Sequence, residues 1–279
     1  VAGADRFLVM DTAGMTQRIA VGVEYDGGRY AGWQRQAEAI SVQAELERAL
    51  GAVADHPVTV TCGGRTDAGV HALGQVAHFD TRSRRTMRGW ALGANRLLPA
   101  DVAVTWAAPV PAGFHARYSA LARTYRYLIL NRAVRPALLR RRVCWIHRPL
   151  DASAMQAAAQ CLVGEHDFSA FRAAECQSRT TTRRLERIEV GRHDDTVFIE
   201  VKANAFLHHM VRNMAGSLIA VGTGDRPAAW LGDVLAGRDR RLAGITAPAG
   251  GLYFLRIDYP AEFRLPVPSA GPWAMIAGA

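Results

Sequence analysis

An α/β (α+β) fold of two βαββαβ halves is what the order of segments predicts, and three observations carry it. Strand-like alternation and helix-like periodicity follow one another twice in the same order along the chain. A connector around Pro109 and Pro111 separates the two series. A composition of 49% hydrophobic and 21% charged residues over 279 positions can bury a sizeable core. Each half is then a split-βαβ, ferredoxin-like unit with helices on one sheet face. The two sheets together form an extended, mostly antiparallel floor, with a central cleft able to hold a long anionic ligand.

Arg18 to Asp26 reads as the first strand. Ser41 suits the N-cap of a helix whose Val42, Leu46, Ala49, Leu50 and Val53 share one face. Val58 to Cys62 alternates apolar and polar residues as a half-buried strand does, and Gly74 to Phe79 resumes the pattern. A helix from about Met87 to Leu98, with Trp90, Ala94 and Leu97 inward, precedes a strand from Val102 to Trp106. The second series starts with a strand from Leu121 to Leu130 and a helix capped by Asp151 that buries Met155, Ala158, Ala159 and Leu162. Strands near Arg184–Val190 and Thr196–Ala203 follow, then a helix from about Phe206 to Val221. A short helix beginning near Pro227 and a strand from Leu252 to Tyr259 complete the order. The expected division is an N-terminal extension at 1–17, halves at 18–112 and 113–266, and a C-terminal tail at 267–279.

The net charge is +9 with a pI near 10, and Lys202 is the only lysine, so arginine carries nearly all the positive charge. Guanidinium groups fork onto phosphates and stack on bases, which makes a polyanion such as nucleic acid the expected partner. No window holds 18 apolar residues and the start does not resemble a signal peptide, so the expectation is a soluble cytoplasmic protein with no membrane partner. Cys62, Cys144, Cys161 and Cys176 form no C-x-x-C pair. His208 and His209 are adjacent, and adjacent helix positions face different sides, so no metal site is expected. Walker, G-x-G-x-x-G and G-x-S-x-G patterns are lacking, which removes the usual support for nucleotide-cofactor enzymes and that hydrolase class.

The chemistry concentrates in Gly63-Gly64-Arg65-Thr66-Asp67-Ala68-Gly69-Val70-His71, a glycine-rich turn between two strands. It presents a carboxylate at a loop tip and lets a bulky ligand approach the main chain. Arg65 stays charged at ordinary pH, so a carboxylate beside it is expected to remain an anion. The same residues also fit a turn with a surface ion pair. In Arg123-Thr124-Tyr125-Arg126-Tyr127, strand periodicity sets Arg123, Tyr125 and Tyr127 on one face, where rings can stack and guanidinium groups can meet phosphate. An ordinary core strand fits as well. Arg212 lies off the apolar stripe of its helix, and either faces solvent or reaches back to the carboxylate. The loops Asp26 to Arg35 and Cys176 to Thr180 are polar enough for RNA contact.

The Gly64–His71 run resembles the active-site loop of the tRNA pseudouridine synthase A family. The resemblance extends from about Arg18 to Pro266 through Glu24-Tyr25-Asp26-Gly27, Gly32-Trp33-Gln34-Arg35-Gln36, Phe114-His115-Ala116-Arg117, Arg123-Thr124-Tyr125-Arg126-Tyr127, Cys176-Gln177-Ser178-Arg179-Thr180, Asn204 to Asn213 and Gly250-Gly251-Leu252-Tyr253. It implies a pseudouridine synthase fold and an isomerase converting uridine to pseudouridine at positions 38 to 40 of the tRNA anticodon stem-loop. It also implies a homodimer without cofactor or metal. By the same resemblance Asp67 is the catalytic aspartate, Tyr125 the active-site tyrosine, Arg212 the basic partner of that aspartate and Leu252 a wall of the uracil pocket. The resemblance also implies that Arg65 helps hold the substrate's flipped conformation.

On this basis an ionised Asp67 either attacks C1′ or assists an elimination, and Tyr125 stacks on the uracil and helps remove its C5 proton. Two other readings use the same sequence. A tandem RNA-recognition protein shares the βαββαβ order but needs aromatic residues on its third strand, which Gly74–Asp80 and Thr196–Val201 do not supply. A phosphodiesterase could pair Asp67 with His71 or His78, though a nuclease usually needs a metal cluster.

Overall fold

A computed structural model describes residues 16–266; the expected tail at 267–279, and all but the last two residues of the expected extension, lie outside the described residues. The first half comprises β1 (Gln17–Tyr25), α1 (Val42–Ala54), β2 (Thr61–Cys62), β3 (His71–Thr81), α2 (Met87–Leu97) and β4 (Val102–Val110). The second comprises β5 (Ala122–Asn131), β6 (Cys144–Ile146), α3 (Ala152–Ala159), β7 (Gly164–Asp167), β8 (Thr182–His193), β9 (Thr196–Ala203), α4 (Met210–Gly222), α5 (Trp230–Gly237) and β10 (Leu252–Asp258).

All ten strands belong to one sheet, ordered β4-β1-β3-β10-β5-β9-β8-β7, with β2 laid on β3 and β6 on β5. Each βαββαβ series therefore uses the same arrangement, its last strand beside its first and its third strand on the first strand's other side. The halves meet where β3 and β10 pair in parallel, His71 with Tyr253 and Ala72 with Phe254. Most other pairs are antiparallel, as hairpins and split units require. One apolar core runs through both halves, from Ile19, Trp33, Phe79 and Trp90 to Tyr127, Phe168, Phe171 and Phe254.

Local chemistry explains the boundaries. The Ser41 hydroxyl accepts from the Ala44 amide at 3.3 Å, and Val42, Leu46, Ala49 and Leu50 face the core. Strand β2 is shorter than the alternation of Val58–Cys62 suggests. The Val60 amide donates to Glu47 of α1 at 3.1 Å, so only Thr61 and Cys62 join the ladder of β3. Strand β4 runs on through Pro109, which pairs with Ile19; proline is tolerated because β4 is an edge strand. Gln17 already belongs to β1, one residue inside the expected extension. Leu97 does not point inward: it is 40% exposed in the last turn of α2, where Arg48 of α1 donates to its carbonyl. Strands β6 and β7 have three and four residues, too few for periodicity to register. Helix α4 begins at Met210 rather than Phe206, because His209 takes a left-handed conformation at φ 60°.

On β3, His78 accepts the Ala116 amide at Nδ1 and meets Phe114 edge-on, fixing the connector between the halves. Burial, then the nearby Arg18, push its pKa down from 6.5 to about 4. Between these values the unfolded chain binds a proton that the folded one does not, so this contribution is intact above pH 6.5 and lost as pH falls towards 4. His78→Gln should therefore flatten the fall of the thermal midpoint between about pH 6.5 and 4. An unchanged slope in thermal unfolding at both pH values would contradict it.

Candidate active site

Asp67 sits on the loop between β2 and β3, and most of that loop's backbone is tied down. Gly63 donates to the Val76 carbonyl at 2.7 Å, and the Gln75 side chain bonds both the amide and the carbonyl of Gly64. The Thr66 hydroxyl meets the buried Tyr25 hydroxyl at 2.7 Å, and the Thr66 carbonyl accepts from Trp33 at 3.0 Å. The Asp67 carbonyl accepts from Val70 at 3.2 Å, closing a turn that holds Gly69 at φ 78°. Beneath it the segment from Gly27 to Trp33 presses closely: a Cβ on Gly27 would lie 1.9 Å from the Val70 oxygen. Gly32, at φ 100°, would meet the Thr66 oxygen at 2.6 Å. Within the polar segment Asp26–Arg35, expected as RNA contact, Gly27, Gly32 and Trp33 support the Asp67 loop.

The opposite side of the carboxylate is filled from the second half of the chain. His208 Nε2 lies 3.3 Å from Asp67 Oδ1, His209 Nε2 lies 3.4 Å from Oδ2, and Arg212 Nη1 lies 3.5 Å from Oδ2. The two imidazoles are not on different sides of a helix. They occupy the turn before α4, with ring centroids 4.0 Å apart, and both face Asp67. The turn is fixed through its backbone: Ala173 donates to the His208 carbonyl at 3.0 Å, and the His208 amide donates to Cys176 Sγ at 3.4 Å. The Cys176 loop, expected to touch RNA, contributes here to site architecture. Asn213, fully buried, donates to the Phe171 carbonyl and accepts from Arg240 and Thr246, so the start of α4 cannot drift.

Arg65 is exposed, and no ion pair joins it to Asp67 among the described residues. The expectation that Arg65 is the cation beside the carboxylate is corrected: that position is taken by Arg212, the partner the resemblance implies, 147 residues after Arg65. Arg212 Nε also donates to the Ala247 carbonyl at 2.8 Å, which orients the guanidinium. Tyr127 donates to the Pro248 carbonyl at 2.8 Å, so the same segment that leads into Leu252 is held twice. Leu252 pairs with Tyr127 across β10 and β5 and is buried.

Tyr125 packs against Phe206 and Phe254, with ring centroids at 5.0 and 4.7 Å. Burial, reinforced by Tyr25 and Asp67, drives its pKa far above the usual 10 and keeps the phenol neutral. The Arg123 guanidinium donates to the carbonyls of Gly63, Arg117, Ala120 and Asn204, joining the Asp67 loop to the segment before α4. Burial pushes the Cys62 thiol up to about 12, so it is an inert neighbour of the loop. His209 has a pKa below 6.5, since burial outweighs the pull of Asp67.

The histidines needed by a phosphodiesterase are engaged elsewhere. His71 Nδ1 accepts from Gly27, its Nε2 donates to the Arg141 carbonyl, and its ring stacks on Tyr253. His78 serves the connector. The groups that do face Asp67, His208 and His209, escaped the sequence analysis because a continuous helix was assumed there; the His-His pair itself was the available signal. The site can therefore present an oriented carboxylate beside a fixed positive charge, a neutral aromatic ring and an apolar wall.

Comparison with known proteins bears on this geometry. A family model described as "tRNA pseudouridine synthase" matches residues 22–119 and 158–260. A protein of Aeromonas hydrophila named tRNA pseudouridine synthase A is 57% identical over 255 residues, covering 91% of this chain and 95% of its own. Proteins of the same name from Klebsiella pneumoniae and Escherichia coli are 56% and 54% identical, each over 91% of this chain and 94% of their own.

The support beneath the loop is testable on its own terms. Gly32→Ala must either shift the Thr66–Asp67 backbone or strain its own, and should cost about 2 kcal/mol or more. Arg123→Met, which strips donors from the carbonyls of Gly63, Arg117 and Asn204, should cost about 2–4 kcal/mol. Denaturant unfolding measures both, and midpoints equal to wild type would contradict the assignment.

Proposed function

The chain belongs to the tRNA pseudouridine synthase family, and from that premise we propose that it isomerises uridine to pseudouridine at positions 38, 39 and 40 of the tRNA anticodon stem-loop, with Asp67 as nucleophile. The observation that carries the residue assignment is the meeting of Asp67 and Arg212, 3.5 Å apart, at the junction of the two halves. Loop and helix come from opposite halves of the chain, and both are fixed by contacts that leave the carboxylate partly exposed.

The target nucleotide leaves its stack at a cost of a few kcal/mol, offset by arginine contacts to phosphate. An Asp67 oxygen attacks C1′ as the N1–C1′ bond breaks, giving a sugar ester and a uracil anion. The uracil turns between Tyr125 and Leu252 until C5 faces C1′. The C5–C1′ bond forms as the ester bond breaks, which returns the carboxylate. C5 then loses its proton and N1 gains one, so substrate and product are isomers and no donor is consumed.

A neutral Tyr125 supports a stacking role and argues against a phenolate base. The carboxylate released from C1′ is the nearer acceptor for the C5 proton. Arg65 is assigned to hold the flipped conformation of the substrate, a role its exposure on the loop supports. The proposal includes a homodimer acting on tRNA in the cytoplasm, without a resident cofactor; among the described residues no helix is long and apolar enough to cross a membrane.

Tritium release from C5-tritiated uridine in unmodified tRNA tests the reaction. Wild type should release it without added metal or nucleotide, and Asp67→Asn should fall by about 10³-fold or more while keeping its fold and much of its tRNA affinity. Substantial turnover by a folded Asp67→Asn protein would overturn the assignment. Affinity for tRNA should drop at least about a hundredfold between roughly 50 and 200 mM salt. A flat salt response would remove the phosphate-led cleft.

A further inference from the structure

We propose that Asp67, His208 and His209 also form a reversible site for a divalent transition-metal ion of the zinc type, and that an ion held there blocks the catalytic carboxylate. One carboxylate oxygen and two imidazole nitrogens all lie within 4.8 Å of one another. The two carboxylate–imidazole separations are 3.3 and 3.4 Å. A tetrahedral ion with bonds of about 2.0–2.2 Å holds its donors about 3.3–3.5 Å apart. Because the two imidazoles meet different carboxylate oxygens, one spacing already matches for a given oxygen, and small rotations of the carboxylate and the other imidazole would complete three ligands. The fourth position would face the cleft, where water or substrate enters.

The donor set is selective. Two imidazoles and one carboxylate suit zinc and its neighbours in the transition series, whereas magnesium and calcium prefer all-oxygen sites. The ligands are also held by contacts that do not use their donor atoms. The backbone of His208 is fixed by Ala173 and Cys176, and His209 by its left-handed turn and the bond from the Asn213 amide to its carbonyl. Charge works in the opposite direction. Arg212 Nη1 is 3.5 Å from the same carboxylate and repels a cation, which makes the site weaker than a structural zinc site and its occupancy reversible.

The binding claim stands on this geometry alone. Inhibition rests on the proposed role of Asp67 as nucleophile, because a bound cation draws electron density from the carboxylate and occupies the space through which C1′ must approach it.

Cobalt(II) is the probe, since it reports a tetrahedral nitrogen and oxygen site by visible absorption. Titrated into the metal-free full-length chain without tRNA, it should give a band that saturates at one equivalent and is displaced by zinc. Asp67→Asn and the double variant His208→Gln/His209→Gln should each lose at least about tenfold in affinity, the scale of a lost ligand contact. Arg212→Gln should bind about tenfold tighter or more, as removal of a nearby like charge requires. No saturable band in wild type, or a band unchanged in both ligand variants, would overturn the site. An unchanged band in Asp67→Asn alone would exclude the carboxylate, and unchanged affinity in Arg212→Gln would place the ion elsewhere. Zinc should also suppress tritium release by wild type, with recovery on chelation. A cobalt band without zinc inhibition would overturn the blocking claim. Absence of tritium release even from metal-free wild type would count against the isomerase reading and leave the binding result standing.

Discussion

The parallel pairing of β3 with β10 is the constraint on which the site depends. It spans His71 with Tyr253 and Ala72 with Phe254, yet it fixes the two halves in one register. On one side β3 begins directly after the loop that carries Asp67. On the other, β10 begins at Leu252, and its antiparallel partner β5 supplies Tyr125. A shift by one residue would turn Leu252 to the other face and carry it out of line with the carboxylate. Parallel pairs cannot be closed by a hairpin, so this junction depends on chain segments separated by most of the sequence.

Around that junction, arginines and polar side chains do structural work in proportion to their burial. Arg123 ties the Asp67 loop to the approach to α4, Arg212 ties α4 to the segment before Leu252, and Arg240 ties Asn213 to the turn that follows. Each satisfies main-chain carbonyls or a buried amide that would be costly to leave unpaired. The basic character of the chain is therefore not a simple count of phosphate contacts. Exposed arginines such as Arg65 remain available for the ligand, while the half-buried ones set the geometry in which it is bound.

The aspartate itself has mixed surroundings: one permanent cation, two imidazoles and a neutral phenol. A permanent charge on Arg212 suits the ionised carboxylate that the proposed attack requires. The imidazoles crowd the same oxygens at 3.3 and 3.4 Å, and their nearness is what the proposed metal site rests on. Both follow from a short left-handed turn that aims adjacent side chains in one direction, which a regular helix would not do.

The order of strands and helices was legible in the sequence, because alternation, capping residues and apolar stripes are local properties. So was the Asp67 loop, whose glycines and charged residues are contiguous, and so was Arg212, displaced from the stripe of its helix. Short strands such as β6 and β7 left no periodic trace, and β2 was shortened by the Val60 amide donating to Glu47 of α1, a contact between segments that local pattern does not show. The partner of Asp67 was decided only by the tertiary structure. Arg65 is near it in sequence, but the folded backbone directs Arg65 outward and brings Arg212, His208 and His209 across the junction instead. The direction of those histidines depends on Ala173 and Cys176, more than thirty residues away, gripping the backbone of His208. Local pattern fixes what each segment is; contacts between distant segments fix what each side chain meets.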